Sequence, residues 1–219
     1  MRIDAILLRE IRMPLVEAFE TSFGLTTERR VLLAEVCAEG YTGWGECVAG
    51  EHPYFSEEST DSAWTVLMGE LAPALAASDV VSGGECPALF RRVRGNRMAK
   101  AALENAVWDL EAQLEGQPLA RLLGGTRRST PCGVSIGIQP SIDALIPKIE
   151  RELAAGYQRI KLKCKPGWDM EMLDAVRARW PLISLSVDAN SAYHLRDIDH
   201  LVGLEEFAAQ HDRAAAVGR

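Results

Sequence analysis

Three short strand-like segments between residues 131 and 189 constrain the fold of this chain more than any other feature. They read CGVSIGI, RIKLKCK and LISLSVDA, and in each of them apolar residues alternate with polar or small ones. A helix-like stretch follows each segment, from about Ser141 to Ala155, from about Trp168 to Trp180 and from near Leu195. Strands that alternate with helices predict βαβ units and a parallel sheet.

The one-sided alternation separates two parallel architectures. A doubly wound sheet is covered by helices on both faces, so its strands are apolar on both. A barrel carries helices on its outside only, and its inner face can hold polar groups near the mouth. The chain also has no GxGxxG after a strand and no P-loop. We therefore predict the α/β class, with an incomplete (β/α) TIM-type barrel of about three βα units in the second half.

The first half has a different rhythm, with strands first and helices afterwards. The predicted strands are Ile3–Leu15, Arg30–Ala38 and Tyr41–Val48. Loops are expected at 18–24 and 49–58, and an amphipathic helix carries Leu103, Val107, Leu110 and Leu114 at helical spacing. This is an α+β pattern. We place an N-terminal α+β domain at 1–125 and the partial barrel at 126–219.

Composition narrows the class of protein. The chain has 219 residues and a net charge of −7, which argues against a nucleic-acid-binding surface. No apolar run is long enough for a membrane span, and the N-terminal apolar run contains charges, unlike a signal peptide. Five widely spaced cysteines without a CxxC predict free thiols. We expect a cytoplasmic protein with no nucleic-acid or membrane partner.

Two lysines are the first candidates for chemistry. Lys161 and Lys163 lie two residues apart, on one face of a strand and close to its C-terminal end. In barrels, active sites are built at that end. Crowding and partial burial favour a lysine that can act as a general base. The alternative is an amphipathic strand whose lysines lie in water, although parallel strands are seldom exposed on one face.

An acidic residue follows the next strand. Asp188 ends that strand and Asn190 comes two residues later. Asp188 could bind Mg²⁺, or it could cap the following turn, since Asp and Asn both favour such positions. Mg²⁺ sites that are not built around phosphate usually contain more than one carboxylate. The sequence alone therefore leaves this site short of ligands.

Other candidates carry weaker signals. Ser135 shares the polar face of the first segment and could contact a substrate or simply pack. The aromatic residues Phe19, Phe23 and Tyr54 lie in predicted loops, where they could line a pocket or anchor the loops. His52 is isolated in its loop. Trp108 lies on the predicted amphipathic helix, and we expect its side chain in the hydrophobic core. The remaining histidines are expected on a helix surface: His194, His200 and His211.

Six motifs of the chain point to one family: FETSFG (19–24), GWGEC (43–47), RGNRMAKAALENAVWDL (94–110), GVSIGIQ (133–139), GYQRIKLKCKPGWD (156–169) and VDANSAY (187–193). Together they resemble the enolase superfamily in its muconate-lactonising branch, and within it the o-succinylbenzoate synthases that also act as N-acylamino acid racemases. The KxK pair followed by DxN in the correct strand order is specific for the superfamily. The narrower assignment rests on overall likeness.

The resemblance implies that 1–125 is an N-terminal capping domain, and that the enzyme removes a proton α to a carboxylate through a metal-stabilised enediolate. Lys163 would be the acid/base, and Lys161 would hold the carboxylate and the enolate charge. Asp188 would be the first of three acidic ligands of Mg²⁺ or Mn²⁺, with Asn190 supporting it. Ser135 and the loop of Phe19 would contact the substrate. Loss of water would give the synthase of menaquinone biosynthesis, and reprotonation on the other face would give the racemase. The family is commonly homo-oligomeric.

The end of the sequence departs from the family pattern. LEEF (204–207) still fits, but AAQHDRAAAVGR then runs to the end without an apolar strand. Two metal ligands and the opposing lysine of the family are absent, and a complete barrel takes about 250 residues. We therefore expect a C-terminally truncated chain that is inactive alone. The alternatives are a non-catalytic interaction module or half of a split enzyme. For the reaction itself, the alternatives within the superfamily are those of a muconate cycloisomerase or a dipeptide epimerase.

Overall fold

A computed structural model describes residues 2–79, 82–205 and 207 of the chain. The residues group into two compact units. The N-terminal unit comprises Met1–Pro14 and Glu28–Arg127, and the C-terminal unit comprises Leu15–Thr27 and Arg128–Arg219. No helix in the described ranges is long and apolar enough to cross a membrane.

The N-terminal unit combines an antiparallel sheet with helices. The sheet has the order β1-β2-β3, with β1 at Ala5–Thr21, β2 at Gly24–Ala38 and β3 at Tyr41–Cys47. The distal parts of β1 and β2 belong to the C-terminal unit. The helices are α1 (Thr60–Val66), α2 (Ala72–Ala76), α3 (Cys86–Leu89), α4 (Arg97–Leu114) and α5 (Leu119–Leu122), and a π-helical turn at Leu67–Leu71 joins α1 to α2.

Close packing of β3 on α4 explains two glycines of the GWGEC motif. A Cβ atom on Gly43 would lie 2.0 Å from the carbonyl oxygen of Ala106, and one on Gly45 would lie 1.9 Å from that of Ala102. Both obstacles are backbone atoms, which cannot move aside without displacing the helix. The motif is therefore explained by backbone-to-backbone contact, and the buried side chains of α4 complete the core of this unit.

Helix α4 begins at an unusual cap. Asn96 precedes it with φ of 49° and makes no side-chain cap bond. Instead the buried carboxylate of Glu58 accepts hydrogen bonds from the amides of Met98 (2.9 Å) and Ala99 (3.1 Å). A carboxylate at the N-terminus also complements the helix dipole. The loop that precedes α1 therefore fixes the start of α4.

The hairpin of β1 and β2 is longer than the sequence indicated. The predicted loop at 18–24 is wrong: β1 continues to Thr21 and only Ser22 and Phe23 form the turn before β2. A tertiary contact favours the extended backbone here, because the amide of Ile138 donates to the carbonyl oxygen of Glu20 at 2.9 Å. The sequence pattern of one strand does not reveal such a bond.

The C-terminal unit alternates strands and helices, as predicted. Its parallel sheet has the order β4-β5-β6. The elements are β4 (Gly133–Ile136), α6 (Ile142–Ala154), β5 (Arg159–Lys163), α7 (Met170–Arg179), β6 (Ser184–Asp188), a 3₁₀ turn (Leu195–Asp197) and α8 (198–205). Whether a further strand follows Phe207 falls outside the described residues.

The strand register places polar residues of the three parallel strands next to one another. Ser135 lies opposite Lys161 and Lys161 opposite Ser186, while Lys163 lies opposite Asp188. The apolar face, which includes Ile136, Ile160 and Leu162, is buried against α6 and α7. Because side chains alternate across a strand, the polar residues share the opposite face.

Candidate active site

Lys163, Asp188 and Asn190 form a compact polar cluster where β5 and β6 end. The Nζ atom of Lys163 donates to Asp188 Oδ2 at 2.8 Å and to Asn190 Oδ1 at 2.7 Å. The backbone amide of Asn190 donates to the other carboxylate oxygen of Asp188 at 3.0 Å. Lys163 is 8% exposed, so this is a buried ammonium group with two oxygen partners.

Lys161 is the second cation of the cluster. Its Nζ atom lies 3.2 Å from Asp188 Oδ2, the same oxygen that Lys163 contacts. The Lys161 side chain is 45% exposed, and Ser135 lies beside it in the strand register. One carboxylate thus faces two ammonium groups, and the cluster carries a net positive charge. Such a cluster favours an anionic ligand.

The lysines determine the ionisation of Asp188. The hydrogen bond from Lys163 lowers the pKa of this carboxyl to about 2, with further contributions from the Asn190 amide and from Lys161, against the opposing effect of burial. The carboxyl therefore stays ionised at all ordinary pH values.

The donor atoms at this position do not complete a divalent metal site. Asp188 is the carboxylate of the cluster, Asn190 adds an amide oxygen, and both are engaged by Lys163. Across the described parts of the chain, no group of three or more His, Cys, Asp and Glu side chains is placed to hold a metal ion. Mg²⁺ needs octahedral oxygen coordination, so these residues fit one position of such a site and not the whole of it.

The distal part of the hairpin, residues 15–27, contacts the C-terminal strands. Ser22 Oγ donates to the carbonyl oxygen of Ala189 at 2.6 Å, and Lys165 forms an ion pair with Glu20 at 2.9 Å. A Cβ atom on Gly137 would lie 3.1 Å from the Glu20 backbone and 3.3 Å from the Phe19 ring. Phe19 is therefore held next to the end of β4.

The two other aromatic candidates differ from Phe19. Phe23 lies in the hairpin turn with 53% of its surface exposed. Tyr54 belongs to the N-terminal unit, where its ring lies 5.2 Å from that of His52. In the C-terminal unit, the described contacts directly join four residues: Lys161, Lys163, Asp188 and Asn190. Neither Phe23 nor Tyr54 takes part in these described contacts.

A second polar cluster was missed by the sequence reasoning. The hydroxyl of Tyr193 donates to Asp169 Oδ2, and His200 Nε2 lies 2.7 Å from the same oxygen. His200 lies on a helix with its side chain 39% exposed, which agrees with the expected helix surface, but it is also bonded to the buried carboxylate of Asp169. The available signal was Asp169 at the start of α7, which caps that helix through the amide of Met170. His211 lies outside the described residues.

The N-terminal part of the chain matches a known family model. Residues 2–124 match the mandelate racemase/muconate lactonizing enzyme N-terminal domain. That match covers more than half of the chain.

Curated relatives extend the similarity to the C-terminal unit. The chain is 46% identical over 206 residues to the o-succinylbenzoate synthase of Geobacillus kaustophilus, and 44% identical over 206 residues to the N-succinylamino acid racemase of Thermus thermophilus. Each alignment covers 94% of this chain but only 55% and 56% of the relatives. The chain therefore spans about half the length of the curated relatives it matches.

Similarity to solved structures supports the same family assignment as the sequence relatives. An enolase superfamily member from Listeria innocua superimposes with a TM-score of 0.88 and is 36% identical, with 94% of this chain and 56% of that chain covered. The family match, the relatives and the fold lead to one conclusion: the chain belongs to the mandelate racemase/muconate lactonizing enzyme family of the enolase superfamily and is similar to o-succinylbenzoate synthases and N-succinylamino acid racemases.

Proposed function

We propose that the C-terminal unit carries one side of an active site that removes a proton α to a carboxylate. Lys163 is the acid/base residue, and Lys161 holds the negative charge of the substrate. One observation carries the proposal: a buried lysine at the end of a parallel strand whose Nζ atom is fixed by Asp188 and Asn190. As the neutral amine, Lys163 would accept the α-proton, and as the resulting ammonium group it would hold the proton that can return to the α-carbon.

The substrate class follows from the charge of the cluster and from the relatives. Two ammonium groups around one carboxylate favour an anionic substrate. Relatives at 46% and 44% identity are a synthase of o-succinylbenzoate and a racemase of N-succinylamino acids, respectively. A chloromuconate cycloisomerase is 29% identical, which makes cycloisomerisation the less favoured reaction. Ser135, Phe19 and Phe23 of the C-terminal unit are the proposed substrate contacts, and the same role for Tyr54 stays a prediction from the sequence.

The chain alone is proposed to be inactive. Members of the superfamily depend on a divalent metal, and the described residues supply Asp188 as one ligand, with Asn190 beside it. Racemisation also needs a second base on the opposite face of the substrate, and the described contacts place no such lysine opposite Lys163. The described residues supply three parallel strands, β4, β5 and β6, and three strands cannot close a barrel.

The test adds the part of a relative that this chain does not cover. A chimera joins residues 1–205 to the part of the Geobacillus kaustophilus relative that the alignment leaves uncovered. We expect a folded chimera to form o-succinylbenzoate or to exchange the α-proton of an N-succinylamino acid for deuterium in D₂O with Mg²⁺. The 219-residue chain is expected to do neither.

Two lysine variants make the result specific. Lys163→Ala should abolish turnover by the chimera, whereas Lys100→Ala in α4 of the N-terminal unit should leave it unchanged. A folded chimera without turnover would contradict the proposed function. Turnover by the chain alone that Lys163→Ala removes would contradict its inactivity.

A further inference from the structure

The turn that follows β6 has a strained backbone. Asn190 has φ of 48° and Ser191 has φ of 63°. Two consecutive non-glycine residues in the left-handed region are unfavourable, and serine tolerates that conformation less well than asparagine. Such a conformation persists only where surrounding contacts determine it.

One end of this turn belongs to the lysine cluster. Asn190 Oδ1 accepts from Lys163 at 2.7 Å, and the amide of Ala192 donates to the carbonyl oxygen of Ala189 at 3.1 Å. The same Ala189 carbonyl accepts from Ser22. If the turn relaxed toward an ordinary backbone conformation, the Asn190 side chain would move with it and Lys163 would lose one of its two partners.

The other end of the turn is held by a buried carboxylate. Tyr193 directly follows the turn, and its hydroxyl donates to Asp169 Oδ2, which also receives the bond from His200. Asp169 is 4% exposed and sits at the fixed N-terminus of α7. Burial acts to raise its pKa, but the hydrogen bonds from Tyr193 and His200 outweigh burial and lower it. The acceptor is therefore a charged oxygen, which makes stronger hydrogen bonds.

Three separate elements meet at Asp169 Oδ2: the start of α7, the loop after β6 and helix α8. The Tyr193 and His200 rings also contact each other, with centroids 5.8 Å apart. Among the described residues, no hydrogen bond joins these three side chains to those of Lys161, Lys163, Asp188 or Asn190. Two links connect the set to that cluster: the two residues between Asn190 and Tyr193, and the side chain of Cys164, which contacts Tyr193 and directly follows Lys163.

We propose that Tyr193, Asp169 and His200 are positioning residues that hold the strained turn, so that Asn190 presents its oxygen to Lys163. This inference rests on the proposed function, because it takes Lys163 as the acid/base residue. The set acts on Lys163 through the geometry of the turn, and none of its members is a catalytic residue.

The experiment uses the 219-residue chain without substrate or metal. Tyr193→Phe keeps the ring and removes the donor, and Tyr157→Phe, a partly exposed tyrosine, is the matched control. NMR follows the side-chain amide of Asn190, the ¹H–¹⁵N signal of Lys163 Nζ and the exchange rate of the Ala192 amide. These signals report the turn itself, and overall stability is measured separately by urea unfolding.

For Tyr193→Phe we expect faster exchange at Ala192 by about tenfold, the effect of losing one hydrogen bond to a charged group. The Asn190 and Lys163 signals should shift, while exchange at buried Ile136 of β4 stays unchanged. Tyr157→Phe should change none of these. Unchanged Asn190, Lys163 and Ala192 signals in Tyr193→Phe would overturn the proposal, as would a uniform increase in exchange across β4 and β5.

His200→Gln provides a second route if Tyr193→Phe does not fold, because the His200 side chain is partly exposed and tolerates replacement better. The same local changes with a smaller amplitude are expected, and their absence would overturn the proposal. Since no readout requires turnover, failure of the positioning role and failure of the proposed reaction give different results.

Discussion

Replacing Asp188 with asparagine isolates the charge interaction at the ends of β5 and β6. The carboxylate faces Lys163 at 2.8 Å and Lys161 at 3.2 Å, and its side chain is 29% exposed. Asparagine keeps the shape and an oxygen acceptor but removes the charge. The difference between the two proteins therefore reports how strongly the ammonium groups stabilise the ionised form.

The magnitude follows from the pKa. The Asp188 pKa is lowered from 3.8 to about 2, first by the hydrogen bond from Lys163 and further by the Asn190 amide and Lys161, against the opposing effect of burial. At about 1.36 kcal/mol per pH unit, this corresponds to about 2 kcal/mol of folding free energy. Because the folded-state pKa is the lower one, this contribution is fully present above about pH 4 and is lost as the pH falls toward 2.

The assay is urea unfolding at a series of pH values in EDTA, followed through amide signals of Ile160 and Leu162 in β5. These residues are buried in the C-terminal unit and report its unfolding. From pH 6 to pH 2, wild type should lose about 2 kcal/mol more than Asp188→Asn. Asp174→Asn on exposed α7 surface should follow wild type.

A direct NMR titration tests the lowered pKa of the Asp188 carboxyl. In ¹³C NMR, the Asp188 carboxyl of the wild-type chain should titrate near pH 2, and its signal is identified by its absence in Asp188→Asn. A midpoint close to 3.8, or a stability difference between the two proteins that does not change with pH, would refute the reasoning.

Three further predictions concern the rest of the chain. Gly45→Ala should destabilise the N-terminal unit by about 1–3 kcal/mol or more, because the new methyl group would collide with backbone atoms of α4. The control in the same urea unfolding experiment is Gly69→Ala, where the added methyl group has open space around it. Glu58→Gln should cost about 1 kcal/mol through the weaker α4 cap, and exposed Glu57→Gln should cost almost nothing by the same measurement. Cys132 should react first with a thiol reagent because it is the exposed cysteine, and mass spectrometry after limited labelling would contradict this if a buried cysteine were modified first.

Burial accounts for the expected order of thiol reactivity. It raises the pKa of the Cys86 thiol to about 12 and that of Cys164 to about 11, with nearby carboxylates adding to the effect. The thiolate is the reactive form, so these two cysteines are doubly protected, by inaccessibility and by protonation. The prediction of free thiols agrees with the structure, in which all five cysteines are unpaired.

The sequence predicted the local order of the lysine cluster well, because its members follow a simple rule. Lys163 and Asp188 end neighbouring parallel strands, so strand order alone brings them to the same edge. The alternation of Ile160 and Leu162 with lysines fixed which face each residue occupies. Roles in a reaction are a separate matter, and those remain predictions.

The Tyr193–Asp169–His200 cluster could not be predicted in the same way. Its members are separated by 24 and 31 residues and lie on three different elements, one of them the loop that follows the left-handed turn of Asn190 and Ser191. No periodicity connects them, since their meeting depends on how α7 and α8 pack. The extension of β1 to Thr21 escaped prediction for a related reason, because it depends on a bond to Ile138.

Helix α4 packs against β3 and also forms hydrogen bonds with its backbone. Asp109 Oδ2 accepts from the Trp44 amide at 2.9 Å, and Gln113 Nε2 donates to the Thr42 carbonyl oxygen at 2.8 Å. These backbone groups lie on the outer edge of the sheet, where another strand could otherwise pair. The helix thus substitutes for a neighbouring strand, and it can do so only while Gly43 and Gly45 allow its close approach. A side chain at either glycine would open a template for intermolecular strand addition, so such variants should form aggregates as well as less stable monomers.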